Sequence, residues 1–266
     1  MTRQGRLAVL TNFREEGEII QGERSRGELP KMFLGVPQDS SETPAEFAER
    51  LVEGEGVQGV GGFSLVFGQL GNALPADANA TREIPRSGRL GIVSNRMKEA
   101  REVAWLEDGT WGLSNSHYGD RTWPKVVQGE RLLDEAVEQS LDAHEASEEL
   151  AERCFAVLST DTLPEWQAGE DWITFVKELR NSIFIPRIGA DTGTDKPAAD
   201  KIAAAEGTKP VSVMSGMYGT QKQTVILVDR RGHVTFIERT LCDEHGKDML
   251  EKDRDRRFDF DIEGWV

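Results

Sequence analysis

Asn12 and Asn115 are the residues whose placement points most directly to chemistry. Each closes a short apolar run, Val9-Leu10-Thr11-Asn12 in one case and Gly112-Leu113-Ser114-Asn115 in the other. A side-chain amide held at the end of a strand can donate to a developing oxyanion. The commoner duty of such an asparagine is to hydrogen-bond its own loop, and residue type alone does not separate the two. Nucleophiles are harder to find. Ser25, Ser114, Ser116 and Ser215 lie near glycines, yet none sits in the Gly-x-Ser-x-Gly elbow that exposes a serine hydroxyl. Cys154 falls on the apolar face of a helical segment, where a thiol behaves as a small hydrophobe. Cys242 follows a strand among acidic residues, which raise a thiol pKa and suppress the reactive thiolate. His117, His144, His233 and His245 are dispersed, so the four convergent ligands of a structural zinc are not in view. No metal or tightly held cofactor is expected. Gly59-Val60-Gly61-Gly62 and Gly216-Met217-Tyr218-Gly219 lack the lysine and the helix opening of a phosphate loop and read as turns.

The elements that must position these residues are strands at both ends and helices between. Leu7 to Leu10 is long enough for a buried strand, and Phe63-Ser64-Leu65-Val66-Phe67 alternates as a strand should. Leu90 to Ser94 and Glu102 to Leu106 predict two more, around a charged turn, and Gly112 to Asn115 reads as a strand running into loop. A helix start is written at Ser41 to Pro44, with a cap residue and an early proline. Pro124 opens the longest helical stretch, and a second begins near Ser147. Gln223–Val228 and Val234–Arg239, joined through Gly232, form the clearest hairpin, and Arg257–Ile262 alternates as a last strand. Segments 12–27, 71–89 and 189–210 read as loop, the last of them flexible. This order predicts an α+β fold of layered sheets and helices within one domain spanning residues 1–266.

Composition narrows the function classes. The chain has 266 residues, with 32 Lys and Arg against 47 Asp and Glu, a formal charge of −15. Neutralising phosphates needs clustered cations, so nucleic-acid partners are disfavoured. The same charge opposes adsorption on anionic membranes, so any organelle association is expected to run through a protein partner. No apolar run approaches the roughly 18 residues of a membrane span, and the opening residues show no secretory signal. Two cysteines cannot build a disulfide scaffold, so a soluble, cytoplasmic protein is expected.

Several blocks taken in order resemble the NRDE family, the group that includes the Transport and Golgi organisation 2 proteins of animals. They are Gly5 to Asn12, Ser25-Arg26-Gly27-Glu28-Leu29, Gly62-Phe63-Ser64-Leu65, and Gly112-Leu113-Ser114-Asn115 followed by Trp123-Pro124-Lys125. Tyr218-Gly219-Thr220 then leads into the hairpin, with Asp229, Gly232-His233-Val234-Thr235-Phe236 and Glu238-Arg239. The resemblance implies a four-layer αββα sandwich like that of N-terminal-nucleophile hydrolases. It also implies a candidate binding pocket built from Asn12, Arg26, Asn115, Trp123 and Thr220. Its implied roles are Golgi and endoplasmic-reticulum organisation, protein secretion, and handling of haem or lipid as a transported hydrophobic ligand. Association with the Golgi or mitochondria follows from the same resemblance.

The chain departs from the family pattern in two places. Members begin Met-Cys, pass through an apolar strand and carry Asn-Arg-Asp-Glu ahead of the Gly-Arg-Leu block, which stands here at Gly5. Thr220 is followed by Gln221 where the family has an arginine, removing a cation from the implied pocket. The expectation is a non-catalytic member that lacks the usual first strand. The alternative is a cysteine amide hydrolase or acyltransferase whose nucleophile lies upstream.

Overall fold

Alternation of side chains sets the first sheet, because Phe63, Leu65 and Phe67 all project to one side of their strand. The computed structural model describes residues 1–12, 24–37, 40–54, 57, 60–71, 90–164, 177–187 and 218–265. The predicted flexible loop 189–210 lies outside them, as does most of 12–27 and of 71–89. Strands β1 (Arg6–Asn12), β2 (Phe63–Gln69), β3 (Leu90–Ser94) and β4 (Ala104–Trp105) pair antiparallel in chain order. One face of this sheet carries Phe63, Leu65, Phe67 and Val93, all buried under helices α1 (Glu28–Leu34) and α2 (Pro44–Glu53). Phe33 of α1, Phe47 of α2 and Phe67 of β2 meet with ring centroids 4.8 to 5.4 Å apart, and Trp105 closes on Phe67 at 5.8 Å.

Helix α2 begins where the sequence places it. The Thr43 hydroxyl accepts from Glu46 N at 3.2 Å, and the Glu46 carboxylate accepts from Thr43 N at 2.7 Å, with Pro44 at the first helical position. That backbone donor, and then the Thr43 hydroxyl, hold the Glu46 carboxyl below its ordinary pKa. A depressed carboxyl stabilises the fold above its unfolded pKa and stops doing so as pH falls through the folded one. Thr43→Ala should therefore cost about 1 kcal/mol at neutral pH. Thermal melts should show the deficit shrinking on acidification; a deficit independent of pH would separate the cap from the Glu46 carboxylate.

The second sheet joins β5 (Lys222–Val228), β6 (His233–Thr240) and β7 (Asp255–Asp261), antiparallel in that order. The turn between β5 and β6 is held by the Asp229 carboxylate, which accepts from Arg231 N at 2.8 Å and His233 N at 2.9 Å. Helix α4 (Ser147–Leu158) flanks this sheet, its Ala151 and Phe155 packing on Val225 and Ile237, and α3 (Pro124–Asp142) packs against α4. Arg239 lies 3.8 Å above the Phe155 ring and donates to Glu152 at 2.7 Å and Asp255 at 2.8 Å. One guanidinium thus ties helix, central strand and edge strand together.

The two sheets meet at one end. Glu263 N donates to Arg3 O at 2.8 Å, and Gln4 Nε2 reaches the Glu263 carboxylate at 3.3 Å. Trp265 folds over the β5–β6 turn, its indole N–H donating to Arg230 O at 2.9 Å. Among the described residues, no helix is long and apolar enough to cross a membrane.

Three local expectations differ from this structure. The strand predicted over Glu102–Leu106 shrinks to Ala104–Trp105, because Ala100–Glu102 is a turn of 3-10 helix closed by the Glu102 carboxylate on Lys98 N at 3.0 Å. Gly112 to Asn115 forms no strand, since Gly112 N donates to the Glu130 carboxylate of α3 at 3.0 Å instead of to a neighbouring strand. Helix α1 has no sequence signal: it is seven residues long without a side-chain cap, and is held by burial of Leu29 and Phe33 one turn apart.

Candidate functional site

The second face of the first sheet is where polar side chains converge. Residues alternating with Phe63, Leu65 and Val93 are Ser64, Ile92 and Ser94, and Ser64 stands opposite Ser94 across β2 and β3. Phe63 N turns toward the Asn95 side chain at 3.4 Å, which places Ser64 and Ser94 in a non-hydrogen-bonded pair, the closer kind for side chains. Both serines are buried. They border a cavity of about 290 Å³ completed by Arg96, Met97, Glu102 and Ala104 on one side and by His117 and Tyr118 on the other. Ile92, Met97 and Ala104 give it apolar walls. Ser64 Oγ donates to Ser116 O at 3.5 Å, tying the sheet to the loop that carries His117 and Tyr118. Burial, and then the Glu130 carboxylate, push the Tyr118 phenol above its usual pKa, so it is a neutral hydrogen-bonding group at physiological pH.

Asn115 lies on that same loop. Its Nδ2 donates to Asn12 O at 2.8 Å across 103 residues of chain. The Asn12 carbonyl points away from β2, because Leu70 N bonds Gly5 O and the bonding pairs of β1 are therefore its odd residues. The Asn115 amide thus covers the last outward carbonyl of an edge strand. It bonds neither its own loop nor open space.

Each of the other predicted pocket residues has its own contacts. Arg26 packs its guanidinium against Gly61, where a Cβ would leave it only 2.5 Å of room. Trp123 caps the start of α3, with Lys125 Nζ 5.4 Å over its ring. Thr220 exchanges hydrogen bonds with Ile185, donating its N–H to Ile185 O at 2.8 Å and accepting from Ile185 N at 3.0 Å. The structure brings Asn12 and Asn115 together, and those bonds place Thr220 beside residues 185–187. Ser64, Ser94, His117 and Tyr118 are not among the residues the sequence singles out. A signal existed: one serine stands within the apolar run of β2 and another closes the apolar run of β3, on the face opposite the phenylalanines.

Neither cysteine is activated. Burial raises the Cys154 thiol within the α4 interface. Burial also raises Cys242, with Asp248 and Asp243 adding to the rise and Arg187 opposing it. Among the described residues, no group of three His, Cys, Asp or Glu side chains is arranged to hold a metal ion.

A family model described as Transport and Golgi organisation 2 matches residues 1–243. The chain belongs to that family. A Transport and Golgi organization protein 2 homolog of Bos taurus is 31% identical over 241 residues, covering 91% of this chain and 70% of the relative. The Mus musculus homolog is 29% identical over 246 residues, covering 92% and 71%. An uncharacterized protein of Saccharomyces cerevisiae is 25% identical over 271 residues, covering 98% and 80%. Within the Transport and Golgi organisation 2 match lie both asparagines, the paired serines and every residue that borders the cavity.

Proposed function

We propose that the cavity behind β2 and β3 receives one end of a small, largely apolar ligand that carries a polar group. The reading rests on the buried Ser64–Ser94 pair, two serines opposite one another on adjacent strands that border the cavity beside its apolar walls. A cavity of about 290 Å³ is at the lower limit for small-molecule sites, so it suits a head group or ring edge with the rest of the ligand outside. Haem and lipid are the ligands the family reading suggests. His117 supplies an imidazole and Tyr118 a phenol, both side-chain types that ligate haem iron. The wider role in this reading is that of a Transport and Golgi organisation 2-like protein: intracellular handling of such a ligand, in support of secretion and Golgi organisation, through a protein partner at the organelle. The four-layer sandwich of N-terminal-nucleophile hydrolases belongs to the same reading, supported by one helix-flanked face on each sheet. The alternative, an amide hydrolase or acyltransferase, would turn the second N–H of the Asn115 amide toward an oxyanion while the first stays on Asn12 O.

Titration with haemin, followed at the Soret band, and separately with a medium-chain fatty acid tests the reading. Ser94→Phe fills the cavity and should weaken binding of the active probe by at least about tenfold. Equal affinity in Ser94→Phe and the parent, or no binding of either probe, removes the proposal.

A further inference from the structure

β7 is an edge strand whose outward backbone can be read residue by residue. Thr240 N bonds Arg254 O and Ile262 N bonds Gly232 O, both at 2.9 Å, so the even-numbered residues of β7 bond to β6. Arg257 and Asp259 therefore turn their N–H and C=O groups outward, with Asp255 and Asp261. Among the described residues no strand pairs with that side, and six of the seven residues of β7 are exposed. Edge strands are normally protected by charged side chains, proline or a bulge. β7 has neither proline nor a bulge, its charges are of both signs and so can be matched by a partner strand, and at its centre Phe258 is 57% exposed.

The sequence Asp255-Arg256-Arg257-Phe258-Asp259-Phe260-Asp261 is complementary to itself when reversed about Phe258. With a two-fold axis there, Arg257 faces Asp259 of a second copy, in a pair that exchanges both backbone hydrogen bonds. Phe258 faces Phe258 in the closer, non-bonded pair, and Arg256 faces Phe260, a cation over an aromatic ring. Phe258 already meets Phe236 of β6 at 6.1 Å, so four rings form a ladder across the axis. Only Asp255 and Asp261 face like charge. Each has a partner within its own chain, Arg239 at 2.8 Å and His233 at 2.8 Å respectively. A shift of one residue in register loses both the ion pairs and the ring contact.

We infer that β7 is a homodimerisation edge, at which a second copy of this chain adds antiparallel to make one continuous six-stranded sheet. The occupant is a second copy because the charge order of β7 complements itself about its own midpoint.

Sedimentation of the full chain tests this. Dimer should be evident at about 100 μM, in keeping with a small interface. Arg257→Asp and Asp259→Arg each place like charges opposite one another and should weaken association at least about tenfold. An equimolar mixture of the two variants sets an acidic pair of positions on one copy against a basic pair on the other, opposite charges at both contacts, and should restore it. Phe258→Lys, at an exposed position, should also give a single-chain species while keeping the parent's melting profile. A parent chain that stays monomeric at that concentration, a mixture that fails to associate, or a dimer indifferent to Phe258→Lys overturns the inference.

Discussion

Phe67→Ala should lower the stability of the fold by about 3–5 kcal/mol, the range for deleting a fully buried aromatic ring. Phe67 is the ring on which three other aromatics of the first core converge: Phe33 edge-on at 5.4 Å, Phe47 at 5.4 Å and Trp105 at 5.8 Å. Its removal opens a void bounded by a sheet on one side and two helices on the other. Neither wall can close over it without moving β2, which pairs on both edges. A domain of this size has about 5–15 kcal/mol in hand, so the variant should sit near its unfolding threshold. Urea unfolding checks this directly. A loss under about 1 kcal/mol would mean that α1 and α2 collapse into the gap and that the core is far more plastic than its packing implies.

Gly5→Ala should cost about 3 kcal/mol, from two sources at one position. Gly5 has φ of +80°, where an L side chain loses about 1–2 kcal/mol. A Cβ there would also collide with the carbonyl oxygen of Leu70 and come within 3.1 Å of Ile262. Since Leu70 N donates to Gly5 O at 2.9 Å, relieving that collision opens the first rung between β1 and β2. Overpacking of this kind adds about 1–3 kcal/mol. Gly119 supplies the control: φ is +83°, yet nothing lies within 4 Å of its hypothetical Cβ. Gly119→Ala should therefore show the conformational part alone, about 1–2 kcal/mol. Equal losses at the two positions in matched thermal melts would remove the steric argument.

What the sequence made legible was whatever depends on neighbours along the chain. The alternation of Phe63 to Phe67, the glycine-bearing turn between β5 and β6, and the Thr43 cap with its proline all act within a few residues, and all lie where the sequence puts them. The α+β arrangement follows from the same signals, and two antiparallel sheets with flanking helices are what the described residues form. Partners distant in sequence were not legible. Asn115 could be marked as a strand-end amide, but its acceptor, Asn12 O, is defined only once β1 is the edge of a sheet and its parity is fixed. Ser64 and Ser94 become a pair only through the register of β2 on β3. Helix α1 depends on a core assembled by α2 and β2, with no cap of its own to announce it.

The junction at Arg3, Gly5, Ile262 and Glu263 has a consequence for the order in which the molecule is made. Its halves are separated by roughly 260 residues, among the longest sequence separations the chain permits. At about 5–20 residues per second of synthesis, β1 emerges on the order of tens of seconds before the segment that closes over its start. During that interval β1 can pair with β2, yet its outer edge stays open, with Val9 among the most exposed large apolar side chains even in the finished fold. Thr2 covers the near end of that edge from the outset, its N–H on Arg6 O at 2.9 Å and its hydroxyl on Arg6 N at 3.2 Å, and Asn115 reaches the far end well before Glu263 emerges. A nascent chain paused after α4 should therefore hold both ends of β1 covered and leave the middle of its outer edge, at Ala8 and Leu10, open, and this tells where a folding helper would need to bind.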